Sequence, residues 1–80
     1  MSSVSFEEFA REFASDLNIE NDDHLTKPLK EVKQYDSMGK ITASLTIEGL
    51  FGIQVSYTDL DSQETLEALY HYCLNQLRDE

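Results

Sequence analysis

The fold this 80-residue chain predicts is all-α, a small four-helix bundle of three longer helices and one short third helix. Three observations carry that expectation. Apolar residues recur at helical spacing in three separate segments. The one stretch that alternates like a strand, Ile53-Gln54-Val55-Ser56-Tyr57, is short and has no second stretch to pair with. A hydrophobic content of 40% with one proline and three glycines suits a compact helical domain and is far from a disordered composition. A chain this short buries only about 60% of the surface its unfolded form exposes, so residues 1–80 are read as a single domain without a closed active-site cleft.

The first helix follows from Ser5-Phe6-Glu7-Glu8, which reads as a capping box, and from Phe6, Phe9, Ala10, Phe13, Ala14 and Leu17, a core stripe. Asn18 to Tyr35 reads as a long loop, with Asn21-Asp22-Asp23 and Lys27-Pro28 opposing a continuing helix. Long loops need anchors, and Ile19, Leu25, Leu29 and Val32 are the apolar candidates. The second helix should start at Ser37 or Met38, with Asp36 or Ser37 near its N-cap, and end at Leu50 or Phe51 before Gly52. Gly39 and Gly49 weaken it, so packing must hold it.

That helix carries two apolar stripes. Ala43, Ile47, Leu50 and Phe51 suit the core, while Met38, Ile41 and Leu45 form a second row beginning beside Ser37. Ile53–Tyr57 is read as a connector, followed by a short helix around Tyr57 to Leu60 capped by Ser56. Asp61-Ser62-Gln63-Glu64 is expected to begin the last helix, whose core stripe is Leu66, Leu69, Tyr70, Cys73, Leu74 and Leu77.

A formal charge of −10 argues against nucleic acid as a partner, because its phosphates would be repelled. The charge is uneven: residues 1–23 and 41–80 each carry −6, whereas residues 24–40 carry +2. Lys27, Lys30 and Lys33 in that basic strip read most simply as solubilising a loop. The lone Cys73 leaves no internal disulfide and suits a reducing compartment. With no apolar run long enough for a signal peptide or a membrane span, a soluble, cytoplasmic, monomeric protein is expected.

Metal sites fare poorly on the sequence. The spacings that begin at Asn18 and Asp59 place Leu29 and Tyr70 where a calcium loop needs its closing glutamate. His71, Cys73 and the distant His24 are too few for zinc, so no metal is expected. Cys73 lies in an apolar stripe, where its thiol pKa should rise and its nucleophilicity fall.

The residues with chemical promise are Tyr35-Asp36-Ser37-Met38-Gly39 at a helix start, followed by Phe51-Gly52-Ile53-Gln54-Val55, Leu60 and Thr65-Leu66. Across roughly residues 25–77 this layout resembles the acyl carrier protein family, in which an Asp-Ser-Leu or Asp-Ser-Met opens the second helix. The resemblance implies a carrier-like bundle in which Ser37 carries a covalent 4'-phosphopantetheine arm whose thiol holds acyl groups as thioesters. It implies a phosphoprotein that is not an enzyme but a substrate of others: a phosphopantetheinyl transferase, an acyl- or aminoacyl-activating ligase, and acyltransferases or synthases of fatty acid or secondary metabolite biosynthesis. In the family, the acid matching Asp36 meets a basic group on the transferase, and residues matching Met38, Ile41 and Leu45 face partner enzymes. Lys40 and Glu48, on the same helix, complete the candidate partner-binding set.

Two departures point to a dedicated carrier rather than the housekeeping fatty acid one. Gln34 stands where fatty acid carriers usually have glycine, and the second helix holds only Glu48 as an acid, with Lys40 besides. Asp36-Ser37-Met38-Gly39 also resembles D-alanyl carrier proteins, so an aminoacyl cargo is the alternative. A helical interaction module that never receives the arm, and docks through Met38, Ile41 and Leu45, is the other.

Overall fold

The computed structural model describes residues 4–78, folded as helices α1 (Phe6–Leu17), α2 (Asp23–Thr26), α3 (Ser37–Phe51), α4 (Tyr57–Ser62) and α5 (Leu66–Arg78), with a 3-10 turn at Leu29–Glu31. No strand occurs among the described residues. The described residues are therefore all helical and compatible with the predicted small bundle, with five α-helices where four were expected. The stretch read as a long loop contributes a one-turn helix, α2, and the 3-10 turn.

Local caps set the helix ends. Ser5 Oγ accepts from Glu8 N at 3.1 Å. At the other end of α1, Asn18 takes the left-handed conformation (φ 60°), and its N–H turns back to the Ala14 and Ser15 carbonyls. Asparagine tolerates that conformation better than most residues. Gly52 stops α3 in the same way, at φ 73° with its N–H on Glu48 O. α4 has a complete capping box, in which Ser56 Oγ accepts from Asp59 N at 3.1 Å and Asp59 Oδ2 accepts from Ser56 N at 3.2 Å.

Packing centres on α1, which lies against α3 and α5, while α4 leans on α3. Phe9, Phe13, Leu29, Ile47, Leu60, Leu66, Leu69 and Cys73 are fully buried. Phe9 meets Phe51 at 5.7 Å edge-on and Tyr70 at 5.9 Å in a stack, geometries that add to the apolar burial. Thr46 Oγ1 donates to Asp16 at 2.5 Å, tying α3 to α1 with a charge-assisted bond. Leu50, Tyr70, Leu74 and Leu77 are only partly buried at the edge of this core.

Two expectations fail. Leu25 is exposed, and its neighbour His24 is buried instead, stacked on Phe13 at 6.3 Å. Adjacent residues of a helical turn point about 100° apart, so α2 can turn only one of them inward. The last helix does not begin at Asp61–Glu64. Asp61 and Ser62 complete α4, Gln63 is extended, and Thr65 Oγ1 caps α5 by accepting from Ala68 N at 3.0 Å. The extended segment has a purpose that local sequence does not reveal: the Glu64 carbonyl accepts from Leu29 N at 2.8 Å and pins the 3-10 turn to the bundle.

Candidate functional site at the start of α3

Ser37 is the first residue of α3 and is exposed. The chain reaches it along a fixed path. Val32 is buried, Tyr35 N donates to Val32 O at 3.0 Å, and the Tyr35 ring sits against Phe13 at 5.8 Å. The Tyr35 hydroxyl donates to Leu60 O at 3.1 Å inside the core. Burial there pushes the phenol well above its ordinary pKa, so it remains a donor. Ser37 therefore stands two residues from a side chain fastened to α4.

Asp36 is extended (φ −89°, ψ −163°) and caps the helix, its Oδ1 accepting from Gly39 N at 2.9 Å while its carbonyl accepts from Lys40 N at 2.9 Å. A helix start leaves the amides of Ser37 and Met38 without an intrahelical acceptor, facing outward beside the serine with the positive end of the helix dipole. Gly39 is buried, and a Cβ there would overlap the Gln34 carbonyl. The glycine lets the approaching strand of chain pass hard against the first turn of α3.

Around this start the structure brings together residues distant in sequence. Tyr57, first residue of α4, donates from its hydroxyl to Ser37 Oγ at 3.4 Å. Lys40 points inward: its ammonium lies 5.3 Å from the ring centres of both Tyr35 and Tyr57 and 3.2 Å from Asp61 Oδ1, and its side chain is only 15% exposed. The cation is thus paired on the α3–α4 boundary rather than displayed on the outer face. A hollow of about 230 Å³ opens there, floored by Val55 and Leu60 and rimmed by Ile41, Ser44 and the Lys40 and Tyr57 side chains.

The second apolar stripe of α3 faces water. Met38 is 71% exposed, Ile41 52% and Leu45 63%, a row that runs from Ser37 along the helix, with exposed Glu48 next. Side chains this exposed contribute little to the folded core, so the row is not a folding requirement. In the basic strip, Lys27 pairs with Asp23 at 3.6 Å, while Lys30 and Lys33 are exposed.

Cys73 is fully buried, and desolvation pushes its thiol up to about 12, which leaves no thiolate at neutral pH. Among the described residues no three His, Cys, Asp or Glu side chains converge as a metal site. No helix among them is long and apolar enough to cross a membrane.

Tyr57 and Asp61 are the site neighbours that the sequence did not single out. Their contacts with Ser37 and Lys40 span about twenty residues and leave no local pattern. Comparison with models of protein families, with curated proteins and with solved structures finds no match.

Proposed function

We propose that the protein is a carrier of the acyl carrier type, in which Ser37 receives a 4'-phosphopantetheine arm from coenzyme A. The observation that carries this reading is an exposed serine hydroxyl at a capped helix start, two residues beyond a buried anchor, with an exposed apolar row leading away from it. The residues present fit the arm. The hydroxyl is accessible, the free amides of Ser37 and Met38 favour a phosphodiester, and no buried side chain has to move. The arm, when bound, supplies the thiol on which acyl or aminoacyl groups travel as thioesters.

Loading bonds Ser37 Oγ to the phosphorus that bears pantetheine and breaks that phosphorus's bridging bond to the rest of coenzyme A. The serine proton passes to the transferase, since the one hydrogen bond to Oγ among the described residues comes from the Tyr57 hydroxyl, as donor. Asp36 holds the helix start and presents its charge to the transferase. Met38, Ile41 and Leu45 offer partner enzymes apolar contact. The carrier does no catalysis, and its partners supply acid, base and specificity.

The pairing of Lys40 with Asp61 leaves Glu48 as the one charge on the outward side of α3. Such a face favours a dedicated carrier, with an acyl or, as the Asp36–Gly39 motif allows, an aminoacyl cargo. Incubation of the apo protein with a broad-specificity phosphopantetheinyl transferase and coenzyme A, read by intact mass, tests the proposal. Wild type gains one phosphopantetheine and Ser37→Ala gains none. An unmodified helical interaction module would gain none in either form.

A further inference from the structure

Resting on the carrier reading above, we infer that Tyr57 is a positioning residue for the arm: its hydroxyl donates to the phosphodiester on Ser37 and holds the root of the arm against α4. The Tyr57 hydroxyl already lies 3.4 Å from Ser37 Oγ, the atom that becomes the ester oxygen. That contact is long for an O–H···O bond and weak while both partners are neutral. Esterification removes the serine proton and sets anionic phosphate oxygens two bonds beyond Oγ, within reach of the same hydroxyl. A neutral contact is replaced by a charge-assisted one, shorter and roughly twice as strong.

The phenol is held in place beforehand. Its backbone is fixed by the reciprocal Ser56–Asp59 capping box at the start of α4. Its ring is one side of the clamp in which the Lys40 ammonium lies 5.3 Å from the Tyr35 and Tyr57 ring centres and is anchored by Asp61 at 3.2 Å. The other side, Tyr35, is immobilised by its buried bond to Leu60 O. An exposed tyrosine would otherwise lose rotamer freedom on meeting the phosphate, and a ring already fixed avoids that cost. Lys40 also brings a positive charge to the phenol ring beside the new anion. The consequence is directional: the arm leaves Ser37 over the α3–α4 boundary, beside the hollow rimmed by Lys40, Ile41, Ser44 and Tyr57.

Phosphorus NMR of the loaded protein reads this contact directly. Wild type, Tyr57→Phe and Lys40→Met are each treated with the broad-specificity transferase and coenzyme A until intact mass shows complete loading, and folding is checked by circular dichroism. Urea-unfolded samples of each supply the reference position of an unheld phosphodiester. The native wild-type resonance is expected to stand away from its unfolded position. Tyr57→Phe, which keeps the ring and loses only the donor, should load fully yet resonate close to the unfolded position with a narrower line. Lys40→Met, which frees the ring but leaves the hydroxyl, should fall between them. Coincident native resonances for loaded wild type and Tyr57→Phe would overturn the inference, and coincidence of Lys40→Met with wild type would remove the clamp from it. A wild-type protein that never gains the arm would instead overturn the carrier reading, and this inference with it.

Discussion

Asp36 caps α3 and, in the proposed carrier, also presents its charge to the transferase, so substitution by alanine would remove both at once. Its Oδ1 caps α3 through Gly39 N, a contact typically contributing about 1 kcal/mol. Asparagine caps as well as aspartate but carries no charge. Asp36→Asn should therefore melt within a few tenths of a kcal/mol of wild type yet be loaded more slowly, whereas Asp36→Ala should lose both stability and loading rate. Transferase kinetics beside thermal melts separate the two, and wild-type loading of Asp36→Asn would remove the charge from the account. The two glycines of α3 divide in a similar way. Gly49 has open space around it, so Gly49→Ala should stabilise by up to about 1 kcal/mol through helix propensity. Gly39→Ala must push the Gln34 backbone aside and should destabilise by about 1–3 kcal/mol despite the same propensity gain. His24 adds a pH dependence. Burial lowers its pKa below 6.5, with Asp22 and Asp23 opposing that effect more weakly. The unfolded chain then binds a proton that the folded one resists, so stability is full above pH 6.5 and falls as the pH drops through it. Melting temperature should fall between about pH 7.5 and pH 5.5, and His24→Phe, which keeps a ring on Phe13, should flatten that slope.

At the scale of elements, α1 and α3 were legible from sequence because their ends are written locally. Ser5, Asp36 and Gly52 act within one turn of themselves, and the core stripes follow a fixed period. The sequence left open whether the second apolar row of α3 is buried along with the first, because a wholly buried helix would carry both; exposure of Met38, Ile41 and Leu45 resolves it. The region 18–35 was the least legible. What orders it is tertiary: Leu29 bonded to Glu64, Tyr35 to Leu60, and His24 against Phe13. The helix start at Ser37 could be read from its local motif, whereas its neighbour Tyr57 could not, since that contact exists only after α3 and α4 pack. The α3 face also ranks its own residues. A buried apolar side chain contributes about 1.5–3 kcal/mol to an interface, an exposed charge pair up to about 1 kcal/mol. Leu45→Asp should thus impair transfer by the cognate enzymes more than Glu48→Gln does, as steady-state kinetics would show. Equal damage would favour an acidic recognition mode. Lys40→Glu, placed beside Asp61 and between two aromatic rings, should loosen α3 from α4 before it alters any choice of partner.

On the scale of the whole molecule, a domain of this size has a total stability of about 5 kcal/mol, and its core is concentrated where α1, α3 and α5 meet. Truncating Phe51 or Ile47 to alanine should cost about 2–5 kcal/mol and leave the chain largely unfolded at room temperature. Leu74→Ala, at the half-buried edge, should cost less; urea titrations give the order. The remaining negative charge lies mainly in the segments before α2 and after α3, away from the exposed row on α3. The described residues thus present Ser37 beside one exposed apolar row of α3, and on the proposed reading this serine takes a phosphopantetheine arm. Intact-mass measurement after reaction with a broad-specificity transferase and coenzyme A, followed by peptide mapping, tests it most directly. A single added phosphopantetheine is expected on the peptide containing Ser37 and none in Ser37→Ala; an unmodified folded wild type, or an arm on any other residue, would overturn the carrier reading.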